Sequence, residues 1–178
     1  MEFETKRLIL CPWKLEDAED MYELARDPEI GAGCGFDPHK SVEESRDIVR
    51  MFMSSRATFA VVPKDFGRVV GTAGLKLGDE CSLGSSEDEG DIGYWIGKPF
   101  WGNGYAPEAV LALLCLAFEE LSLKRVWAGY FDGNEKSKRV LEKCGFVYHH
   151  TNKDILWELT GKVVTEHVML YERKDYTM

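Results

Sequence analysis

The chain has 178 residues, 44% of them hydrophobic and 30% charged, which is the composition of one globular domain with a sizeable core. We therefore expect a single domain over residues 1–178. The formal net charge of −9 at pH 7 argues against a nucleic-acid-binding protein, because phosphate backbones select basic surfaces.

The first half of the chain predicts an N-terminal strand, two helices and a pair of meander strands. Residues 7–13 are apolar and include a proline, which predicts a short strand, and residues 15–26 place apolar side chains at helical spacing. Residues 30–38 carry three glycines and are expected to form a mobile loop. Ser41 followed by Glu44 is a capping-box pattern that opens a second helix. Strands are expected over residues 58–62 and 69–77.

The second half begins with a polar connection over residues 78–90. Residues 91–109 predict a short apolar strand, a glycine turn and the start of a long helix that is apolar on nearly all sides and therefore buried. A strand over residues 124–130 leads to a helix over residues 135–144, ended by Gly145. The last strands are expected around residues 146–150 with 155–159, and over residues 163–171.

The cysteines and the N-terminus indicate the compartment. The five cysteines are odd in number and scattered, without a metal-type spacing, so we expect reduced thiols in a cytoplasm and no metal site. Residues 1–7 lack the layout of a signal peptide, and the longest apolar stretch, residues 110–118, is too short to span a bilayer. We expect a soluble cytoplasmic protein without a membrane partner.

The glycine turn between the predicted strand and helix is the pattern of an anion site. The first backbone N–H groups of a helix lack intrahelical partners and lie at the positive end of its dipole, so they bind phosphate. Gly102 and Gly104 would let a phosphate approach the backbone closely. A P-loop would need Gly-Lys-Ser/Thr here, and a nicotinamide-type dinucleotide site would need a third glycine where the chain has Pro107. A pyrophosphate turn of the acyl-CoA type remains.

Three ordered motifs resemble one family. The segment Trp101-Gly102-Asn103-Gly104-Tyr105-Ala106 is similar to the acetyl-CoA turn of the GNAT acetyltransferases, in particular the RimJ/RimL-like branch. Residues 134–146 resemble that branch's Asn-x-x-Ser and Gly-Phe motif, and residues 4–10 resemble its opening strand. The chain departs from the wider superfamily at Pro99, where Arg or Gln is usual, and from the branch at Cys11, where a basic residue is frequent.

The resemblance implies an α/β fold with a mixed, mostly antiparallel sheet of about seven strands, flanked by about four helices. The sheet would splay between the fourth and fifth strands, and the backbone there would pair with the pantetheine arm. The implied contacts to acetyl-CoA, with CoA as the product, come from Trp95, Ile96, Trp101, Gly102, Asn103, Gly104, Tyr105, Ala106, Asn134 and Ser137.

The resemblance gives Ser137 a catalytic role, because a serine there is proposed to hydrogen-bond the thioester sulfur and protonate the leaving thiolate. Ser137 also suits the first turn of a helix, and Asn134 also suits an N-cap. The acceptor amine must lose a proton before it attacks. Asp91 and Glu89 are candidates for the base, although their position favours a solvated loop acid as the simpler interpretation of each. His149, His150 and His167 lie in the late strands, where the family's acceptor site often forms.

The predicted activity is therefore acetyl transfer from acetyl-CoA to a primary amine by direct attack on the thioester. The acceptor is a protein N-terminus or a small amine such as an amino acid, and its choice is expected to depend on residues 30–38 and on the connection before Val163. The chain is expected to be a monomer or a homodimer. A non-catalytic acyl-CoA-binding or sensor module is the alternative.

Overall fold

The computed structural model describes residues 2–176, which form one eight-stranded sheet with five α-helices. The strands are β1 (Phe3–Glu4), β2 (Leu8–Pro12), β3 (Thr58–Pro63), β4 (Gly71–Leu77), β5 (Glu89–Ile96), β6 (Arg125–Phe131), β7 (Val147–Trp157) and β8 (Lys162–Glu172). The helices are α1 (Ala18–Ala25), α2 (Pro28–Cys34), α3 (Val42–Ser54), α4 (Tyr105–Cys115) and α5 (Glu135–Lys143).

The strand order is β1-β2-β3-β4-β5-β6-β8-β7, and every neighbouring pair is antiparallel except β5 with β6. The parallel pairing runs only from Glu89 with Arg125 to Ile92 with Ala128. The two strands continue beyond it to Ile96 and Phe131. The predicted splay therefore lies between β5 and β6, one number later than expected because β1 adds a strand. The predicted fold class is confirmed, with eight strands and five helices instead of about seven and four.

The loop expected over residues 30–38 is partly wrong, because α2 occupies its first half. Asp27 caps this helix by accepting the Glu29 N–H at 2.9 Å, and Pro28 fills the first turn, where a missing N–H costs nothing. Gly35 ends it with φ +76°, and its N–H donates to the Gly31 carbonyl at 2.8 Å. The start and stop residues outweigh the low helix propensity of two internal glycines.

Hydrophobic cores lie on both faces of the sheet. On one face, α4 buries Val110, Leu113 and Leu114, and Phe118 follows in a π-helical turn, Leu116–Glu120. On the other face, Met21 of α1 and Val49 of α3 pack with the Trp95 side chain of β5. The α4 helix is not buried all round as predicted, because Leu111 remains 51% exposed. The strand β5 alternates its side chains between these two cores, so its two faces contact different helices.

The chain ends in a long hairpin of β7 and β8. The two segments predicted near residues 146–150 and 155–159 are one strand with irregularities between Tyr148 and His150 and between Asn152 and Ile155. These bulges bend β7 and re-aim its side chains. Across residues 2–176, helices that combine the length and apolarity needed to cross a bilayer are absent.

Candidate active site

The predicted anion turn has the backbone that phosphate binding needs. Gly102 and Gly104 have φ values of +83° and +77°, and α4 starts directly after Gly104 without a side-chain cap. Pro107 carries no N–H, so the orphan donors of this helix are those of Gly104, Tyr105 and Ala106. A Cβ built on Gly102 would meet no heavy atom within 4 Å, and residues 102–104 are exposed. The turn therefore presents backbone donors to open space.

Arg7 and Glu108 fix the turn to the N-terminal strand. Glu108 accepts from the Arg7 backbone N–H at 2.8 Å, from Arg7 Nε at 2.7 Å and from Thr5 Oγ1 at 2.6 Å. Arg7 also donates to the Asn103 carbonyl at 2.7 Å. Burial opposes ionisation of Glu108, but these hydrogen bonds outweigh it and hold its pKa below the ordinary value. Arg7 thus holds the carbonyls of the turn in place, and its guanidinium charge is paired with the Glu108 carboxylate.

The side chains of Trp101 and Asn103 also hold the turn together. Trp101 donates its indole N–H to the Ile96 carbonyl at 2.6 Å, and Asn103 donates to the Phe100 carbonyl at 3.0 Å. The Lys136 ammonium of α5 lies 3.7 Å from the centre of the Trp101 ring, a cation–π contact. These side chains therefore position the backbone of the turn, and they connect it to α5.

The gap between β5 and β6 exposes backbone groups of particular residues. Hydrogen bonds alternate between the two sides of a strand, and the Gly97 N–H donates to the Val70 carbonyl at 2.8 Å. Every second residue of β5 therefore turns its backbone groups toward β4. In the β4–β5 register, Trp95 faces Thr72 in this way, whereas the backbone groups of Tyr94 and Ile96 face the gap. The Ile96 carbonyl already accepts a hydrogen bond from the Trp101 indole N–H. The groups on the gap side are therefore the N–H and C=O of Tyr94 and the N–H of Ile96.

Ser137 and Asn134 lie on the far side of the same gap, at the start of α5. The Ser137 hydroxyl is 2.9 Å from the Tyr94 hydroxyl, and burial raises the pKa of Tyr94 above its ordinary value. Asn134 caps α5 by accepting the Ser137 N–H at 3.1 Å and donates to the Gly33 carbonyl at 3.1 Å. The structure thus brings Ser137 to β5 and links Asn134 to α2.

The two predicted carboxylates, Asp91 and Glu89, are buried and already paired. One oxygen of Asp91 accepts from Ser82 N–H at 2.7 Å, Ser82 Oγ at 3.1 Å and Leu83 N–H at 3.3 Å. Glu89 accepts from Ser85 N–H at 2.9 Å and from the Trp127 indole at 3.0 Å, and it pairs with Arg125 at 3.1 Å. Burial opposes ionisation of Glu89, but these partners outweigh it and lower its pKa. Both acids organise the loop before β5.

The two segments predicted to choose the acceptor meet in the structure. The Trp157 indole donates to the Gly35 carbonyl at 2.8 Å, and its ring packs edge-on against Phe131, with centroids 4.8 Å apart. Lys162 lies 3.9 Å from Asp37. A cavity of about 290 Å³ opens between α2 and the end of the β7–β8 hairpin. It adjoins the face of the sheet opposite α4.

A larger groove of about 400 Å³ lies at the starts of β5 and β6, away from the turn. Its charges pair with each other, as in Lys124 with Asp88 at 2.6 Å and Lys174 with Glu172 at 2.5 Å. This self-neutralised groove is a poor ligand site.

The predicted histidines are also engaged, since His149 packs on Trp127 and His167 lies 3.0 Å from Asp132.

Comparisons with known proteins agree with this architecture. A family model described as "Acetyltransferase (GNAT) domain" matches residues 7–147. The chain is 31% identical over 177 residues to the uncharacterized N-acetyltransferase p20 of Bacillus licheniformis, covering 97% of this chain and 96% of that protein. A GNAT-family acetyltransferase structure from Bacillus anthracis superposes with a TM-score of 0.86 at 22% identity, covering 98% of this chain and 100% of that chain. A putative ribosomal-protein-serine acetyltransferase from Vibrio cholerae superposes with a TM-score of 0.79 at 21% identity, covering 97% of both chains.

Proposed function

Because the chain belongs to the GNAT acetyltransferase family, we propose that it transfers the acetyl group of acetyl-CoA to a primary amine by direct attack on the thioester. The observation that carries the proposal is one continuous path. It runs from the uncapped turn at Gly104, along the backbone of Tyr94 and Ile96, to the Ser137 hydroxyl. A pyrophosphate, two amides and a thioester occur in that order along acetyl-CoA.

The residues of the path suit these groups one by one. The N–H groups of Gly104, Tyr105 and Ala106 would hold the pyrophosphate, with Gly102 and Asn103 completing the turn. The backbone groups left on the gap side, which are the N–H and C=O of Tyr94 and the N–H of Ile96, would pair with the pantetheine amides as an added strand, a role expected from the sequence for Trp95 and Ile96. The register turns the Trp95 backbone away from the gap. The Trp95 side chain packs in the core on the face of the sheet opposite α4.

Direct attack agrees with the state of the cysteines near the gap. Burial raises the pKa of the Cys34 thiol to about 12 and that of the Cys144 thiol to about 11. The nucleophilic form of cysteine is the thiolate, so both side chains are poor acceptors of an acetyl group at neutral pH. The protein's task is to place a neutral amine against the thioester carbonyl and to stabilise the developing oxyanion, for which the Tyr94 or Ile96 N–H is available.

We expect Ser137→Ala to lower kcat about tenfold, since a hydroxyl that protonates the leaving thiolate contributes mainly in the transition state. The acetyl-CoA affinity, measured by calorimetry, should change less than about twofold on the same argument. Ser54→Ala, on the exposed surface of α3, is the matched control. An unchanged kcat in Ser137→Ala would remove this hydroxyl from the mechanism.

The cavity between α2 and the hairpin is the proposed acceptor site. It adjoins the face of β6 opposite α4, and its walls include Phe36, Phe131 and Trp157. A cavity of about 290 Å³ admits an amino acid or the first residues of a protein N-terminus. We propose such amines as acceptors and a cytoplasmic setting, where acetyl-CoA is made; the acceptor class is tested by measuring CoA release with a panel of amines and N-terminal peptides.

Gly35→Ala tests the acceptor site separately from the donor site. A Cβ on Gly35 would lie 2.8 Å from Trp157 Cε2 and 2.9 Å from Phe131 Cζ, so the cavity walls must shift. We expect the KM for the acceptor to rise about tenfold, equivalent to ~1.4 kcal/mol, with the acetyl-CoA affinity unchanged. Gly67→Ala, between β3 and β4, has a similar φ of +71° without a neighbour within 4 Å and controls for backbone strain. Equal effects of the two substitutions would contradict the cavity's role.

A further inference from the structure

A third buried carboxylate, Glu166 of β8, differs from Asp91 and Glu89 in having, within residues 2–176, one oxygen with neither a hydrogen-bond donor nor a cationic side chain beside it. Glu166 is 7% exposed, and its Oε2 accepts from Asn152 Nδ2 at 3.3 Å. Within residues 2–176, no hydrogen bond reaches its Oε1. One oxygen of Asp91 instead accepts three hydrogen bonds, and Glu89 accepts hydrogen bonds on both of its oxygens. Asp91 Oδ1 accepts no hydrogen bond but lies 3.7 Å from the Lys76 ammonium, so Glu166 Oε1 is the carboxylate oxygen of the three acids that has no such partner within residues 2–176.

Glu166 extends over the strand at the point where the sheet opens. In the β6–β8 register it faces Phe131, so its side chain lies on the same face as Gly129, two residues earlier. A Cβ on Gly129 would overlap Glu166 Oε1 and would lie 3.0 Å from its carboxyl carbon. The missing side chain of Gly129 therefore makes the space that the carboxylate occupies.

Gly93 makes the matching space on β5. The last parallel pair is Ile92 with Ala128, so Gly93 and Gly129 are the next residues on either side of the widening gap. Period-two alternation from Asp91 and Trp127 places both glycines on one face, and a Cβ on Gly93 would meet no heavy atom within 4 Å. This pair of glycines, the glycine window, opens toward the face that carries the acceptor cavity. Phe131 belongs to that cavity's wall and is the register partner of Glu166.

We propose that Glu166 is the general base, and that its carboxylate takes a proton from the acceptor ammonium at the glycine window. The inference rests on the proposed acetyl transfer. Glu166 removes one proton from the ammonium, and the nitrogen lone pair then forms a C–N bond with the thioester carbonyl carbon. The C–S bond breaks and its electron pair leaves with sulfur. Ser137 gives its hydroxyl proton to the thiolate and regains a proton from the second one that nitrogen loses, and Glu166 releases its proton to solvent.

The surroundings of Glu166 suit this role. Burial raises its pKa above the ordinary glutamate value, and the Asp91 carboxylate on β5 acts in the same direction. Asn152 and His150 on β7 and Lys76 on β4 oppose the shift. A base is most effective when its pKa approaches the working pH, so the net displacement favours proton transfer from an ammonium.

The test is the pH dependence of kcat/KM for Glu166→Gln, with an N-terminal peptide as acceptor and acetyl-CoA as donor. Without the base, the variant can use only acceptor molecules whose amine is already neutral. The neutral fraction rises about tenfold per pH unit below the amine pKa of about 8. We expect a loss of about 30-fold at pH 6.5, where about 3% of the amine is neutral, that shrinks toward parity near pH 9. The acetyl-CoA affinity should stay within about twofold, as for any residue that acts on the acceptor alone.

Folding is monitored independently. Because the folded protein holds the Glu166 proton more tightly than the unfolded chain, wild-type stability falls as the pH rises from the ordinary glutamate pKa through the raised value. Glu166→Gln lacks this loss and should be at least as stable as the wild type at pH 7. A purely structural carboxylate predicts the opposite.

The possible outcomes separate the two proposals. Wild-type turnover together with a Glu166→Gln profile parallel to the wild type overturns the assignment of Glu166 alone. A deficit of this pH-dependent form in Asp91→Asn, and not in Glu166→Gln, assigns the base to Asp91 and also overturns it. A wild-type protein that releases no CoA with any amine contradicts the proposed function, and the role of Glu166 with it.

Discussion

Gly104→Glu is expected to weaken acetyl-CoA binding by at least ~1000-fold. The substitution places a side chain and a negative charge at the turn beside the N–H groups of Gly104, Tyr105 and Ala106, so it repels the pyrophosphate and competes for its position. A Cβ on Gly104 would lie 3.3 Å from Arg7 Nη2, so the side chain enters an occupied part of the turn. Hydrogen bonds to a charged group contribute about 1.5–3 kcal/mol each, and losing two or more accounts for about 4 kcal/mol, which is ~1000-fold. Isothermal calorimetry with acetyl-CoA measures the change directly.

Backbone strain must be separated from this loss, because Gly104 has φ +77° and any side chain is unfavourable there. Gly78→Glu introduces the same charge at a glycine with φ +55° and no neighbour within 4 Å. Gly78 directly follows β4 and lies outside the glycine turn. We expect both variants to lose a similar ~1 kcal/mol of stability from strain. Only Gly104→Glu should lose acetyl-CoA, and retained affinity in that variant would contradict the turn assignment.

Gly71→Ala is expected to destabilise the folded protein by about 3 kcal/mol, an overpacking effect at the upper end of its usual range. A Cβ on Gly71 would overlap the Trp95 carbonyl oxygen and lie 2.9 Å from the Ile96 Cα. Both are main-chain atoms, so the contact can be relieved only by moving β4 away from β5. For a chain of this size the melting temperature should fall by roughly 6–12 °C in calorimetry.

Gly93→Ala is the matched control on the neighbouring strand. It makes the same chemical change, and its Cβ would meet no heavy atom within 4 Å. Replacing glycine also reduces the entropy of the unfolded chain, so its stability should stay within about 1 kcal/mol of the wild type. A similar melting temperature for Gly71→Ala and Gly93→Ala would show that β4 and β5 tolerate the extra methyl group at either place.

The sequence predicts the local features of the site well, because each depends on neighbouring residues. The strand, the turn at Gly102 and Gly104 and the helix that follows are written within 20 residues, and the structure has them in that order. The helix α2 also has local signals, Asp27 and Pro28, and the predicted loop is wrong there because the cap and the proline outweigh the glycines that follow.

The features that depend on distant pairing could not be predicted in the same way. Arg7 and Glu108 are 101 residues apart, and nothing in either segment indicates that one carboxylate collects the donors of Thr5 and Arg7. The position of Glu166 depends on the β6–β8 register, and a shift of one residue would turn its side chain to the other face. Single-sequence patterns specify which faces are apolar, and they leave such pairings open.

The short parallel contact between β5 and β6 also bears on how the protein is held together. Four residue pairs join the two halves of the sheet, and beyond them the backbone groups of Tyr94 and Ile96 lack a neighbouring strand. A donor molecule bound along this gap would supply hydrogen bonds to these backbone groups, and it would stabilise the sheet as a neighbouring strand does. By mass action, a ligand at 100 times its dissociation constant adds about 2.7 kcal/mol to the stability of the folded state. The lifetime of the enzyme against unfolding is then linked to the supply of the molecule that it consumes.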